Sequence, residues 1–113
     1  MGKRRGERHG HDGTRTVRLQ ELIREEVNLL LRNDIRDPRL QGVEITMVEL
    51  AGDGSRARLW FTAEDEEDRD EAWERVAGFL RTELAGSLGL KRTPELRFRR
   101  DPATRAFAGG SGR

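Results

Sequence analysis

The sequence predicts a small α+β domain, a three-stranded sheet covered on one face by helices. Three observations carry this. Residues 37–62 (DPRLQGVEITMVELAGDGSRARLWFT) read as a loop, a strand, an Asp-Gly turn and a second strand. Apolar residues at helical spacing lie on either side of that hairpin, and a third alternating segment, ELRFRR, follows. A hairpin alone is marginal in water, so the flanking helices are expected to cover its apolar face.

Residues 1–13 (MGKRRGERHGHDG) are glycine-rich, polar and basic, with nothing to bury, and are expected to form a disordered tail. His9 and His11 stand here beside Asp12, and two histidines on such a segment are not read as a metal site. Thr14 or Thr16 is expected to cap a helix running to about Arg32. Leu19, Leu22, Ile23, Val27, Leu30 and Leu31 form its apolar stripe. Asn33-Asp34 is a plausible stop, and Pro38 disfavours helix at Asp37.

In the hairpin, Val43, Ile45 and Met47 share one parity while Val48 and Leu50 take the other, so a bulge is expected near Met47–Val48. Beyond the Asp53-Gly54 turn, Ala57, Leu59 and Phe61 face the core, and Arg58, Trp60 and Thr62 face away. Residues 63–70 (AEDEEDRD) form an acidic loop. Its carboxylates lack any partner motif and read as a solvated linker rather than a metal or acid–base site. They repel phosphate. Asp70 is expected to cap a second helix over 71–89, with Trp73, Val76, Ala77, Leu80, Leu84 and Leu88 on its apolar side. Gly78 interrupts that helix at a cost of about 1 kcal/mol relative to Ala, which suggests a kink or a close backbone approach. Gly89, followed by Lys91, Arg92 and Pro94, reads as its terminator. In the last strand Leu96 and Phe98 point inward, and Glu95, Arg97 and Arg99 outward. After Asp101-Pro102 the chain is expected to be a flexible tail in which Ala106-Phe107 could dock. The expected division is a tail over 1–13, a folded domain over 14–101 and a tail over 102–113.

Composition narrows the function. Of 113 residues, 34% are hydrophobic and 38% charged, with no cysteine, which excludes a disulfide framework and suits a reducing cytosol. No apolar run approaches a membrane span, and no secretory signal follows the basic N-terminus. The net charge of +1 hides a segregation: residues 1–62 hold 12 basic and 10 acidic side chains, 63–74 hold 1 and 8, and 75–113 hold 9 and 3. Such an imbalance hints at a basic face for a polyanion. A charged solvated surface would look the same.

No nucleophile, phosphate-loop, zinc or dinucleotide motif is present, and both histidines lie outside the expected domain. The chain therefore reads as a binding protein and not an enzyme. Arg56, Arg58, Arg81, Lys91, Arg92, Arg97, Arg99 and Arg100 follow the hairpin turn, and arginine forks suit phosphate. Trp60 shares the outward parity of Arg58, and either stacks on a base or covers an apolar patch.

The predicted order, with a break in the second helix, is that of a type II KH domain. Gly86-Ser87-Leu88-Gly89 matches the GxxG of KH modules in letters, but lies beside the last strand and not between paired helices. The combination resembles the ribosome-binding factor A family. The residues carrying the resemblance are Arg15-Thr16-Val17-Arg18-Leu19 leading into Leu22-Ile23-Arg24-Glu25-Glu26-Val27, the Asp37-Pro38-Arg39-Leu40 motif, the hairpin, Phe79-Leu80-Arg81, and Pro94-Glu95-Leu96-Arg97-Phe98 with Asp101. The resemblance implies a KH-like fold in which an Ala-x-Gly kink replaces the GxxG loop. Here the kink would fall at Val76-Ala77-Gly78, with valine at its first position. It further implies a cytoplasmic factor, monomeric and without cofactor or metal, that binds the immature 30S ribosomal subunit and 16S rRNA. The expected RNA face comprises Arg81, Lys91, Arg92, Arg97 and Arg99, with Arg36 and Arg39 secondary and Asp37 tying its own loop. The alternative is a protein-interaction module that docks through its edge strand or acidic loop.

Overall fold

The computed structural model describes residues 2–102, with side chains from Thr14 onward. Helix α1 (Gly2–Asn33) leads through a short 3-10 turn (Pro38–Leu40) into strands β1 (Glu44–Leu50) and β2 (Arg56–Thr62). Helix α2 (Asp70–Leu88) and strand β3 (Glu95–Arg100) complete it. The sheet order is β1-β2-β3, with β1 antiparallel and β3 parallel to β2. A parallel neighbour needs a crossover, and α2 supplies it.

Inward-facing Ile45, Val48, Ala57, Leu59, Phe61 and Leu96 of the sheet are buried against Ile23, Val27, Leu30 and Leu31 of α1 and Ala72, Trp73, Leu80 and Leu84 of α2. Burying each large aliphatic side chain contributes about 1.5–3 kcal/mol. The Trp73 ring stacks on Phe98 of β3 at 4.0 Å and tilts onto Phe61 at 5.3 Å, fixing α2 over the β2–β3 half of the sheet. Among the described residues, the opposite face of the sheet carries no helix.

The elements match the sequence pattern, with five differences. Helix α1 begins ahead of Thr14, while its buried positions run from Ile23. The side chains of the expected 1–13 tail, including His9, His11 and Asp12, lie outside those described, as does Ala106-Phe107. Leu22 of the predicted stripe is 39% exposed, whereas polar Asn28 is buried. Asn28 reaches β1, where its amide nitrogen donates to the Ile45 carbonyl (3.0 Å) and its oxygen accepts the Ile45 N–H (2.7 Å). The Leu50 N–H donates to Gln20 Oε1 in the same way (2.9 Å). These side chains satisfy backbone groups of an edge strand that has no strand beyond it among the described residues.

The bulge falls one to two residues earlier than expected. Ile45 pairs with Phe61 and Met47 with Trp60, leaving Thr46 as the extra residue. Met47 is therefore turned outward, and Val48 and Leu50 recover the inward phase. Asp70 is the first residue of α2 and not its cap. Its N–H is taken by the Asp68 carboxylate at 2.9 Å, and Asp70 and Glu71 put negative charge in the first turn, where the helix dipole favours it.

The expected interruption of the second helix is absent: α2 runs unbroken through Val76, Ala77 and Gly78. A Cβ on Gly78 would meet nothing within 4 Å, so no close approach demands a glycine there. Packing of Trp73, Leu80 and Leu84 on either side outweighs its weak propensity. Gly89 does end α2, at φ +63°, a left-handed conformation that favours glycine.

Candidate nucleic-acid interface

The uncovered sheet face is built by strand alternation and register. In one row across it, Glu49 of β1 is paired with Arg58 of β2, which is paired with Arg97 of β3. In the next row Met47 is paired with Trp60 and Trp60 with Arg99. Arg56 stands opposite Glu95 at the turn end. Directly opposed like charges destabilise a sheet, so the Arg58–Arg97 juxtaposition works against the fold on its own. Glu49 reaches Arg58 at 3.3 Å and Glu95 reaches Arg97 at 3.2 Å, but these are exposed pairs worth about 0–1 kcal/mol each. Among the described residues no carboxylate lies in salt-bridge range of Arg99, Lys91 or Arg92. The face keeps positive charge that a phosphate would neutralise.

The expected RNA-face residues fall into two groups. Arg97 and Arg99 are exposed on β3. Lys91 and Arg92 are exposed in the turn that enters that strand. Arg81, from the last half of α2, donates to the carbonyls of Pro94 (3.1 Å) and Thr93 (3.0 Å), which pins that turn to the helix while its charge stays uncompensated by any carboxylate within range among the described residues. Arg81, Lys91 and Arg92 border the end of the sheet at the hairpin turn, where the Glu95 N–H donates to the Ser55 carbonyl, and Arg97 and Arg99 continue along β3 away from that end.

Arg36 and Arg39 lie in the α1–β1 connection, by the start of α2. Arg36 is exposed. Asp37 accepts the Arg39 backbone N–H (3.0 Å), and its two oxygens take Nε (3.1 Å) and Nη2 (2.8 Å) of the same guanidinium. That fork, with the backbone bond, lowers the Asp37 pKa from 3.8 to about 2. Glu71 approaches Arg39 at 3.5 Å. The charge of Arg39 is thus largely compensated within its own loop.

A groove of about 640 Å³ runs between α2 and β3, floored by Phe61, Trp73, Leu96 and Phe98. Its rim is mixed in charge: Glu66, Glu67, Asp68, Asp70 and Glu74 lie on the side of the acidic loop and α2, and Arg97, Arg99 and Arg100 on the side of β3. Its acidic loop is held in place: buried Arg69 donates to the Arg39 carbonyl (2.7 Å) and the Asp65 carboxylate (2.8 Å), and Arg100 donates to the carbonyls of Asp65 (2.8 Å) and Glu67 (2.9 Å). The five carboxylates disfavour a phosphate backbone inside this groove, and the open sheet face, where Arg97 and Arg99 adjoin Arg58, is the better seat.

Met47 was not readable as a face residue, because its parity depends on where the bulge falls. Arg69 was hidden in the acidic run. A single basic residue amid eight acidic ones in 63–74 was its only signal. Among the described residues no group of three or more His, Cys, Asp or Glu side chains could hold a metal ion, and no helix is long and apolar enough to cross a membrane.

Comparison with known proteins is concordant. A family profile described as ribosome-binding factor A matches residues 15–108. Ribosome-binding factor A of Heliobacterium modesticaldum is 44% identical over 93 residues, covering 79% of this chain and 77% of that protein. The crystal structure of ribosome-binding factor A from Thermus thermophilus aligns with a TM-score of 0.68 at 26% identity, covering 74% of this chain and 92% of that one. A Thermus thermophilus homology model of the same factor, fitted into the cryo-EM map of a 30S complex, aligns with a TM-score of 0.67 at 26% identity over 78% of this chain and 97% of that one.

Proposed function

The chain belongs to the ribosome-binding factor A family, and on that premise we propose that it binds the immature 30S ribosomal subunit in the cytoplasm and assists maturation of 16S rRNA. The Thermus relative fitted into a 30S complex supports the partner. The observation in this chain that carries the reading is the uncovered sheet face, where Arg58, Arg97 and Arg99 adjoin across two strands. Arg81, Lys91 and Arg92 extend that charge around the end of the sheet. Guanidinium forks engage phosphate bidentately and fix position without reading sequence. The protein acts as a binding factor, not as a catalyst. By binding one local arrangement of rRNA more tightly than its alternatives, it shifts the population toward that arrangement, to the extent of the difference in affinity.

The rival reading, docking of a protein through the β3 edge or the acidic loop, differs in its response to salt. Phosphate contacts release counterions, so affinity falls steeply as salt rises, whereas an apolar interface is nearly indifferent. The test is sedimentation of the full chain with immature 30S subunits across a salt series. Arg97→Glu with Arg99→Glu is expected to weaken attachment at least tenfold and to flatten the salt slope. Unchanged attachment by a folded double variant would refute the assignment of this face.

A further inference from the structure

We infer that the open sheet face holds one unpaired nucleotide, its base stacked on the Trp60 ring and its neighbouring phosphates held by Arg58, Arg97 and Arg99. This rests on the rRNA-binding reading above and specifies which form of RNA the face takes. Trp60 is half-buried, yet its Nε1 is buried and has no hydrogen-bond partner among the described residues. What the indole offers to solvent is therefore carbon surface. Met47, its neighbour on β1, is 49% exposed and extends that carbon surface to one side.

Arginine borders the patch on its β2 and β3 sides. Arg99 is the cross-strand partner of Trp60, and the Arg58 guanidinium lies 5.9 Å from the ring centroid. A hollow of about 520 Å³ opens beside the ring, lined by Arg58, Trp60, Arg99, Arg100 and Pro102. A second, of about 450 Å³, has Arg56, Arg58, Arg97 and Arg99 on its walls, with Glu49 as its one carboxylate. Glu49, at 3.3 Å from Arg58, and Asp101, bonded to Thr46 at 2.6 Å, also stand on this side, but a small aromatic surface with three arginines beside it suits a π-face with flanking anions. A protein partner would call for an apolar or acidic rim around that surface. Base-paired RNA hides its π-faces inside the helix, so the ligand is a single strand or a nucleotide turned out of a stem. Stacking on an aromatic ring is tolerant of base identity, so selection here is for unpaired structure and not for sequence.

The test uses the full chain with a fluorescent oligoadenylate and the same strand annealed to its complement, read by anisotropy. Trp60→Leu is expected to weaken single-strand binding about tenfold, to leave duplex binding unchanged and to keep the salt slope. Trp60→Phe, which keeps a ring, is expected to restore most of the lost affinity, separating stacking from damage to the sheet. Single-strand affinity in Trp60→Leu equal to that of the parent would overturn the inference, as would equal losses for single strand and duplex. Either result would leave the proposed function standing, since that depends on the arginine reversals against immature subunits.

Discussion

Two residues show how a side chain can stand in for missing backbone partners. Asn28 presents an amide to both polar groups of Ile45, at a strand edge where no further strand binds them among the described residues. Asn28→Leu adds apolar volume but leaves two buried backbone groups unpaired, at about 1–3 kcal/mol each. We expect a stability loss of roughly 2–4 kcal/mol in urea denaturation. An unshifted midpoint would show that the edge does not depend on this bond. Asp37 makes the second case, because its carboxylate serves both the Arg39 guanidinium and the Arg39 N–H. A folded-state pKa of about 2, below the ordinary 3.8, means that the carboxylate binds protons more weakly when folded. Its contribution is complete above about pH 4 and is lost as pH falls through about 2. Asp37→Asn should therefore lower stability at neutral pH, and the gap between the two proteins should close as both are acidified. A gap that stays constant down to about pH 2 would show that the pair does not stabilise the loop.

At the level of elements, helix α2 tests what family resemblance alone implies. The resemblance led to the expectation of a break at Val76-Ala77-Gly78, yet the helix is continuous and Gly78 has open space around its α-carbon. Gly78→Ala should then raise stability by about 1 kcal/mol, measured by thermal or denaturant unfolding. A loss of stability would mean that the site does need glycine, and reduced attachment to immature subunits with raised stability would point to a flexible joint used in binding. Alternation placed residues 57–62 of β2 and 95–99 of β3 on their correct faces from sequence, but gave no face to Arg100, which lies over the Phe61 ring. It failed on β1 at Met47 because an inserted residue leaves the apolar pattern ambiguous by one or two positions. It also could not show the buried role of Asn28, since a polar residue on an apolar stripe reads as a flaw until its partner strand is known. The arginine face was readable because parity alone determines it. Its separation from Arg39 was not, because that depends on an ion pair formed by the 3-10 turn.

Across the whole molecule, charge is sorted along α2. The acidic residues within 64–71 lie in the loop before it and, as Asp70 and Glu71, in its first turn, while Arg81 lies in its second half and Lys91 and Arg92 beyond its end. Asp70 and Glu71 agree with the helix dipole, so at this end local stability and long-range field have the same sign. An RNA surface attracts the basic end and repels the acidic one, which orients the protein before contact and discourages binding through the carboxylate side of the groove. Exposed Glu64 and Glu74 contribute to that repulsion. Reversing both (Glu64→Lys with Glu74→Lys) should raise affinity for an unrelated RNA duplex several-fold and steepen its salt dependence, while attachment to immature subunits gains less. The ratio of the two affinities, measured at one salt concentration, is the quantity that decides. If both affinities rose by the same factor, the acidic end would be acting only through net charge, and orientation would have to come from the arginine face alone.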